Sequence, residues 1–89
     1  MNTLKELQTI PGIGNSLSQD LVDLGYRKVN DLKDVDPETM YKNLTALRGH
    51  HIDRCVLYIF RCAVYYASNS THDTELLKWC NWKDGKLNS

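Results

Sequence analysis

The stretch LKELQTIPGIGNSLSQDLVDL, residues 4–24, decides the fold of this chain. An apolar residue recurs every three positions up to Ile10, and leucines recur at helical spacing beyond Gly14. We expect Pro11 to end the first helix, because its ring clashes with the preceding helical turn and it has no N–H to donate. Gly12 and Gly14 allow a tight turn at positive φ. The stretch therefore predicts two short helices joined by a glycine turn.

A third helix is predicted over residues 37–48. Asp36 is a favourable N-cap, and Pro37 suits the first helical position, where no N–H is needed. Gly49 is expected to break the helix. Residues 29–32 are typical of a short connecting turn of helix between the second and third helices.

Two more helices are predicted in the second half of the chain. Residues 52–67 form the most apolar one, and a terminal helix over 74–82 carries Trp79 and Trp82 on one side. We expect both tryptophans to pack this end of the chain onto the core. With no β-type alternation in the sequence, residues 1–89 are predicted to form one compact all-α domain of about five or six helices.

The composition excludes several classes of protein. The chain is 42% hydrophobic and 25% charged, which is typical of a globular domain. Eleven basic residues balance eleven acidic ones, so no overall field attracts a polyanion. The longest apolar stretch is interrupted by Arg61 and is too short to cross a bilayer, and the first residues do not resemble a secretion signal. Three cysteines without a secretory context favour reduced thiols, and we expect a cytoplasmic protein with no membrane partner.

The glycine turn resembles the helix-hairpin-helix family of nucleic-acid-binding modules. The resemblance rests on the sequence IPGIG at 10–14, the apolar helix before it, and the Leu17-x-x-x-Leu21 pattern after it. A glycine-rich turn that opens a helix exposes N–H groups to which a phosphate can bind without any reading of bases. In that family the turn carbonyls also hold a monovalent cation in some members. The resemblance implies phosphate binding at Gly12, Ile13, Gly14, Asn15 and Ser16.

Two features favour a purely structural turn instead. Binding members of the family commonly place a Lys or Arg after the second glycine, whereas this chain has Asn15 and Ser16, which bring no charge. Asp20 and Asp23 lie on the same helix and would repel a phosphate. A proline–glycine turn is also simply a good connection between two short helices, with Ile13 buried in either case.

Nearly the whole chain, from Leu4 to about Asp84, is similar to the bacterial "pathogenicity locus" family, whose members are often labelled mitomycin-resistance proteins. The residues that carry the resemblance are DRCVLYIFRCAVYYA at 53–67 and ELLKWCNWKD at 75–84. The resemblance implies a bacterial protein with a helix-hairpin-helix, DNA-binding-like fold. It implies no established activity.

Arg54, Tyr58, Arg61 and Tyr65 are spaced so that they share one face of the long helix. Such a face could bind phosphates through the arginines and stack on exposed bases through the tyrosines. Alternatively, the tyrosines cover the core and the arginines form ion pairs. Candidate partners for those ion pairs are Asp31, Asp34, Asp36 and Asp73.

A zinc site is conceivable but is not favoured by the spacing of the ligands. His51, Cys55 and Cys62 share a helix face, and His72 or Cys80 would complete a set of four. The close Cys-x-x-Cys pair typical of zinc sites is absent, so buried cysteines without a metal are the simpler interpretation. No nucleophile, base and orienting acid are spaced as a catalytic site requires. The sequence therefore predicts neither an enzyme nor a cofactor.

The function that these patterns favour is weak, sequence-nonspecific DNA binding through phosphate contacts. The glycine turn would bind one phosphate, while Arg54 and Arg61 would bind others. The alternative is a protein–protein interaction module with no nucleic-acid ligand. A small zinc-stabilised or reductant-sensitive domain is a third possibility.

Overall fold

The computed structural model describes residues 3–82, which form four α-helices and three 3₁₀ turns without any strand. The predicted all-α class is thus confirmed for this part of the chain, which includes all but the ends of the predicted domain. The helices are α1 (Thr3–Leu7), α2 (Asn15–Asp23), α3 (Pro37–Arg48) and α4 (Arg54–Ser68). The 3₁₀ turns are Val29–Leu32, Glu75–Leu77 and Trp79–Trp82.

Helix α1 is shorter than its apolar pattern predicts, because it ends at Leu7 and not at Ile10. The next residues form tighter turns, in which the Thr9 and Ile10 N–H groups donate to the carbonyls three residues earlier, both at 3.1 Å. The Thr9 hydroxyl also donates to the Glu6 carbonyl, at 2.7 Å, which offers that carbonyl a partner other than a helical amide. Proline at position 11 further disfavours helical backbone at the residue before it.

Helix α3 has the bounds that its capping residues predict. The Asp36 carboxylate accepts hydrogen bonds from the Glu38 N–H, at 3.0 Å, and from the Thr39 hydroxyl, at 3.2 Å. Gly49 closes the other end at φ +74°, a left-handed conformation that glycine adopts without strain. A side-chain cap at one end and a glycine conformation at the other therefore determine where this helix begins and ends.

Helix α4 begins two residues later than predicted. Asp53 lies outside the helix as its N-cap, where its carboxylate accepts the Cys55 N–H at 2.9 Å. The hydrogen bond lowers the pKa of Asp53 below its ordinary value. The Ile52 carbonyl accepts the Tyr41 hydroxyl of α3 and takes no part in the helix. A contact between two helices thus fixes the start of α4.

The predicted single terminal helix over 74–82 is wrong. The structure has two 3₁₀ turns there, separated by Lys78 in an extended conformation with ψ 114°. Side-chain donors bind two carbonyls that a continuous α-helix would pair with amides four residues on: Asn81 Nδ2 binds the Glu75 carbonyl and Trp82 Nε1 binds the Leu76 carbonyl, both at 2.7 Å. We call residues 75–82 the terminal segment.

The core lies where α4 contacts the other elements, and the described chain is compact, with a radius of gyration of 12.3 Å. Leu47 is 51% exposed, because it lies close to the solvated end of α3, next to Arg48. The buried apolar residues that form one cluster are Leu7, Ile10, Ile13, Leu21, Leu32, Met40, Leu44, Phe60 and Ala63.

Candidate nucleic-acid interface

The glycine turn, residues 10–14, uses its two glycines differently. Gly12 has φ +89°, which an L side chain rarely adopts, whereas Gly14 has φ −104° in extended backbone. The expectation of positive φ at both glycines is therefore wrong for Gly14. A Cβ on Gly14 would have no atom within 4 Å, so neither conformation nor packing demands glycine there. Gly14 serves as the N-cap of α2.

Ile13 faces the core within this turn. It is 5% exposed, and its N–H donates to the Ile10 carbonyl at 3.1 Å. That hydrogen bond closes the turn and occupies the amide that the family resemblance assigns to phosphate. The geometry thus gives Ile13 a structural part in the turn.

The first turn of α2 is open to solvent. Gly14, Asn15 and Ser16 are exposed, and Gly14 has no side chain with which to cap the helix. The amides of a first helical turn have no partner within the helix, and the helix dipole places partial positive charge there. An anion could approach the backbone closely at this point, since no Cβ at position 14 is in the way.

A polar contact inside the helix pair holds α1 against α2. Gln8 Nε2 donates to Asn15 Oδ1 at 2.8 Å and to Ser18 Oγ at 3.2 Å. Ser18 is fully buried, and its hydroxyl donates to the Asn15 carbonyl at 2.9 Å. The side-chain oxygen of Asn15 is therefore already bound within the protein. The sequence offers one clue to this contact: Ser18, a small polar residue, lies between Leu17 and Leu21 on the inward face of α2.

The two acidic residues that counted against phosphate binding are held in ion pairs. Arg48, at the end of α3, donates to Asp20 Oδ1 at 2.5 Å and to Asp23 Oδ2 at 2.7 Å. The Arg48 hydrogen bond lowers the pKa of Asp23, and Gln19 contributes through a second hydrogen bond. One guanidinium thus offsets much of the negative charge on α2.

The predicted arginine face of α4 is divided between two environments. Arg54 is exposed at the first position of the helix, whereas Arg61 lies partly buried, with 21% of its side chain exposed. Arg61 binds Glu38 Oε1 at 2.8 Å and the Trp82 carbonyl at 2.7 Å. The guanidinium also lies 5.6 Å from the centre of the Tyr58 ring. Among the described residues its acidic partner is Glu38, and not one of the four aspartates proposed from the sequence.

Three other exposed cations lie next in sequence to residues near a contact between α1 and the turn after α2. The Glu6 carboxylate accepts the Val29 N–H at 3.3 Å, which brings their neighbours Lys5 and Lys28 to the same end of α1. Lys5, Arg27 and Lys28 are all exposed. The signal that could have indicated them is the adjacent basic pair directly after the end of α2.

Among the described residues, the cysteine and histidine side chains do not come together as the zinc hypothesis would require. The Cys62 thiol is buried and donates to the Leu76 and Leu77 carbonyls at 3.6 and 3.4 Å. Burial raises the pKa of Cys62 to about 11. His72 stacks on Tyr66, with ring centroids 4.7 Å apart. Over residues 3–82 no three potential ligands meet, and the Cys80 side chain lies outside the described residues.

None of the described helices combines the length and apolar character needed to cross a membrane.

The comparisons with known proteins identify a family. Neither a curated protein nor a solved structure matches the chain. A family model described as "Pathogenicity locus" matches residues 1–87, almost the full length. The chain therefore belongs to the Pathogenicity locus family.

Proposed function

We propose that this protein binds DNA weakly and without sequence specificity, through phosphate contacts at a helix-hairpin-helix formed by α1, the glycine turn and α2. The observation that carries the proposal is the open first turn of α2, where exposed Gly14 provides no side-chain cap. The amides of Gly12, Gly14, Asn15 and Ser16 would bind one phosphate. Contacts to the phosphate backbone of DNA do not distinguish between bases, so the binding is nonspecific.

The charge distribution around α2 supports the proposal. Arg48 offsets Asp20 and Asp23, which would otherwise repel a phosphate. The exposed cations Lys5, Arg27 and Lys28 lie near the contact between α1 and the turn after α2, and Arg54 is exposed on α4. Because the net charge of the chain is zero, attraction is short-range and the affinity is low. Such a protein has a binding function without catalysis, and we place it in the cytoplasm.

A salt titration tests the proposal directly. Labelled duplex and single-stranded DNA would be titrated with the protein at about 50 mM and about 200 mM salt. We expect binding at the lower concentration that weakens at the higher one, because each phosphate contact releases condensed counterions. If neither DNA binds at the lower concentration, the proposal is wrong.

Substitution of Gly14 locates the site. In Gly14→Asp, the new carboxylate would cap the amides of Ser16 or Leu17, as aspartate does at many helix starts. We expect at least about a tenfold loss of DNA affinity, because the carboxylate occupies the amides and repels the phosphate. We expect no loss of thermal stability. Gly14→Ala is the matched control, because it leaves the amides open and its Cβ meets no neighbour. If Gly14→Asp binds DNA with wild-type affinity, the phosphate site does not lie at the start of α2.

The alternative of a protein–protein interaction module receives less support. Among the residues that the structure describes, Leu47 is the one large hydrophobic side chain classed as exposed. A single exposed leucine is ordinary on a protein surface and does not form a docking patch. We therefore treat protein binding as the explanation to pursue if the salt titration is negative.

A further inference from the structure

The glycine turn packs directly on the terminal segment. A Cβ placed on Gly12 would lie 3.4 Å from Cδ1 of Trp79 and 3.5 Å from Cγ2 of Ile59. A Cβ at this position would be in ordinary van der Waals contact with both side chains, so the turn lies directly against them. Trp79 is therefore, with Ile59 of α4, one of two side chains on which the turn rests, although it is far from the turn in the sequence.

Side chains of α4 hold the segment that carries Trp79. Arg61 Nη1 donates to the Trp82 carbonyl at 2.7 Å, and the Cys62 thiol donates to the Leu76 and Leu77 carbonyls. Within the segment, Trp82 Nε1 donates to the Leu76 carbonyl at 2.7 Å. These bonds fix the two 3₁₀ turns on α4 and thus fix where the Trp79 indole lies.

We propose that Trp79 is a positioning residue for the glycine turn, and that Arg61 acts on DNA binding through the terminal segment and not through a phosphate contact. The part of this inference that concerns DNA rests on the proposed function; the part that concerns the turn does not. Because Arg61 already binds Glu38 and the Trp82 carbonyl, its guanidinium supports the segment beneath the turn. Binding at the turn and docking of the segment are then coupled, and each strengthens the other.

Hydrogen exchange tests the positioning of the turn without DNA. The reporter is the Ile13 amide, whose bond to the Ile10 carbonyl closes the turn. We expect Trp79→Ala to speed exchange of this amide by about tenfold or more, while the Met40 amide in α3 keeps its wild-type rate as the internal reference. Trp79→Phe should restore most of the protection, because an aromatic ring still fills the space beneath Gly12.

If Trp79→Ala does not fold, Arg61→Met provides a second test, since it removes the bond from α4 to the Trp82 carbonyl and keeps the indole. Unchanged Ile13 exchange in the folded variant overturns the inference, whether or not the protein binds DNA. Faster Ile13 exchange combined with no DNA binding by the wild type overturns the proposed function and leaves the positioning of the turn established.

The salt slope of DNA binding separates positioning from contact. A side chain that touches a duplex phosphate contributes about 0.9 to the slope of log affinity against log salt. We expect Arg61→Met to lower affinity by about threefold to tenfold with an unchanged slope, whereas Lys28→Met, at an exposed cation, should reduce the slope. A slope reduced by about one in Arg61→Met, or wild-type affinity in Trp79→Ala, would overturn the coupling.

Discussion

The glycine turn and the terminal segment are both short, both lie outside the α-helices and both pack near α4, yet different bonds hold them. The turn is closed by its own backbone, through the Ile13 amide and the Ile10 carbonyl. The terminal segment also has 3₁₀ bonds of its own, but side chains of α4 fix it in place, such as Arg61, which is 21 residues from Trp82 in the sequence. Local chemistry therefore shapes the first region, and tertiary contacts shape the second.

The core beneath the glycine turn should give the largest effect. Phe60 of α4 is fully buried in the cluster that includes Ile10 and Ile13. We expect Phe60→Ala to lower the free energy of unfolding by about 3–5 kcal/mol, through lost burial and the cavity left behind. Urea denaturation followed by circular dichroism and by tryptophan fluorescence measures this loss, and the two probes should still coincide.

Leu47→Ala is the matched control for that measurement, because Leu47 is 51% exposed. We expect a change within about 0.5 kcal/mol. Separate transitions for the two probes in Phe60→Ala would mean that the terminal segment unfolds on its own, and not together with that core.

The ion pair beneath the terminal segment should give the next effect. Arg61→Met removes the bonds to Glu38 and to the Trp82 carbonyl. We expect a loss of about 1–2 kcal/mol in the free energy of unfolding; this is less than a fully buried charged bond would give, because the Glu38 side chain is 46% exposed.

Lys78→Met is the control for the ion pair, since Lys78 and Glu75 are 62% and 67% exposed. That change should shift the free energy of unfolding by less than about 0.5 kcal/mol. Equal effects of the two substitutions would contradict the structural role of Arg61.

The two glycines of the turn should respond differently to alanine. Gly12→Ala forces a side chain into φ +89°, a conformation that L residues rarely adopt, and we expect a loss of about 1–2 kcal/mol. In Gly14→Ala, the poorer N-cap lowers the free energy of unfolding, whereas the less flexible unfolded chain raises it. The net change should lie within about 0.5 kcal/mol. Thermal melts of both variants provide the comparison. Similar losses in the two would show that Gly14 also needs a glycine conformation.

The smallest expected effect is a pH dependence of the contact between α2 and α3. The Arg48 hydrogen bond lowers the pKa of Asp23 from its ordinary 3.8. A carboxylate with a lowered folded-state pKa stabilises the fold fully above its unfolded value and ceases to do so as pH falls through the folded value. Wild-type stability should therefore decline below about pH 4 more steeply than that of Arg48→Gln. Urea midpoints at a series of acidic pH values measure this, and parallel curves would contradict it.

Some of the candidate site could be predicted from the sequence, and some could not. The open N-terminus of α2 follows from glycines at fixed positions, because a residue without a side chain leaves the first-turn amides uncapped. The partners of the arginines do not follow. Arg48 binds Asp20 from 28 residues away, and Arg61 binds Glu38 from 23 residues away. Many acidic residues were available to each arginine, and only the packing of the helices selects among them.

The sequence alone determined the all-α class, the position of the glycine turn and both ends of α3. These depend on bonds between residues a few positions apart, such as Asp36 with Glu38, and on the backbone preferences of proline and glycine. Only the tertiary structure decided the late start of α4, the division of the terminal helix into two 3₁₀ turns and the approach of Trp79 to Gly12. The late start of α4 and the docking of the terminal segment depend on side chains of other helices, which bind carbonyls that local preference would have paired with backbone amides.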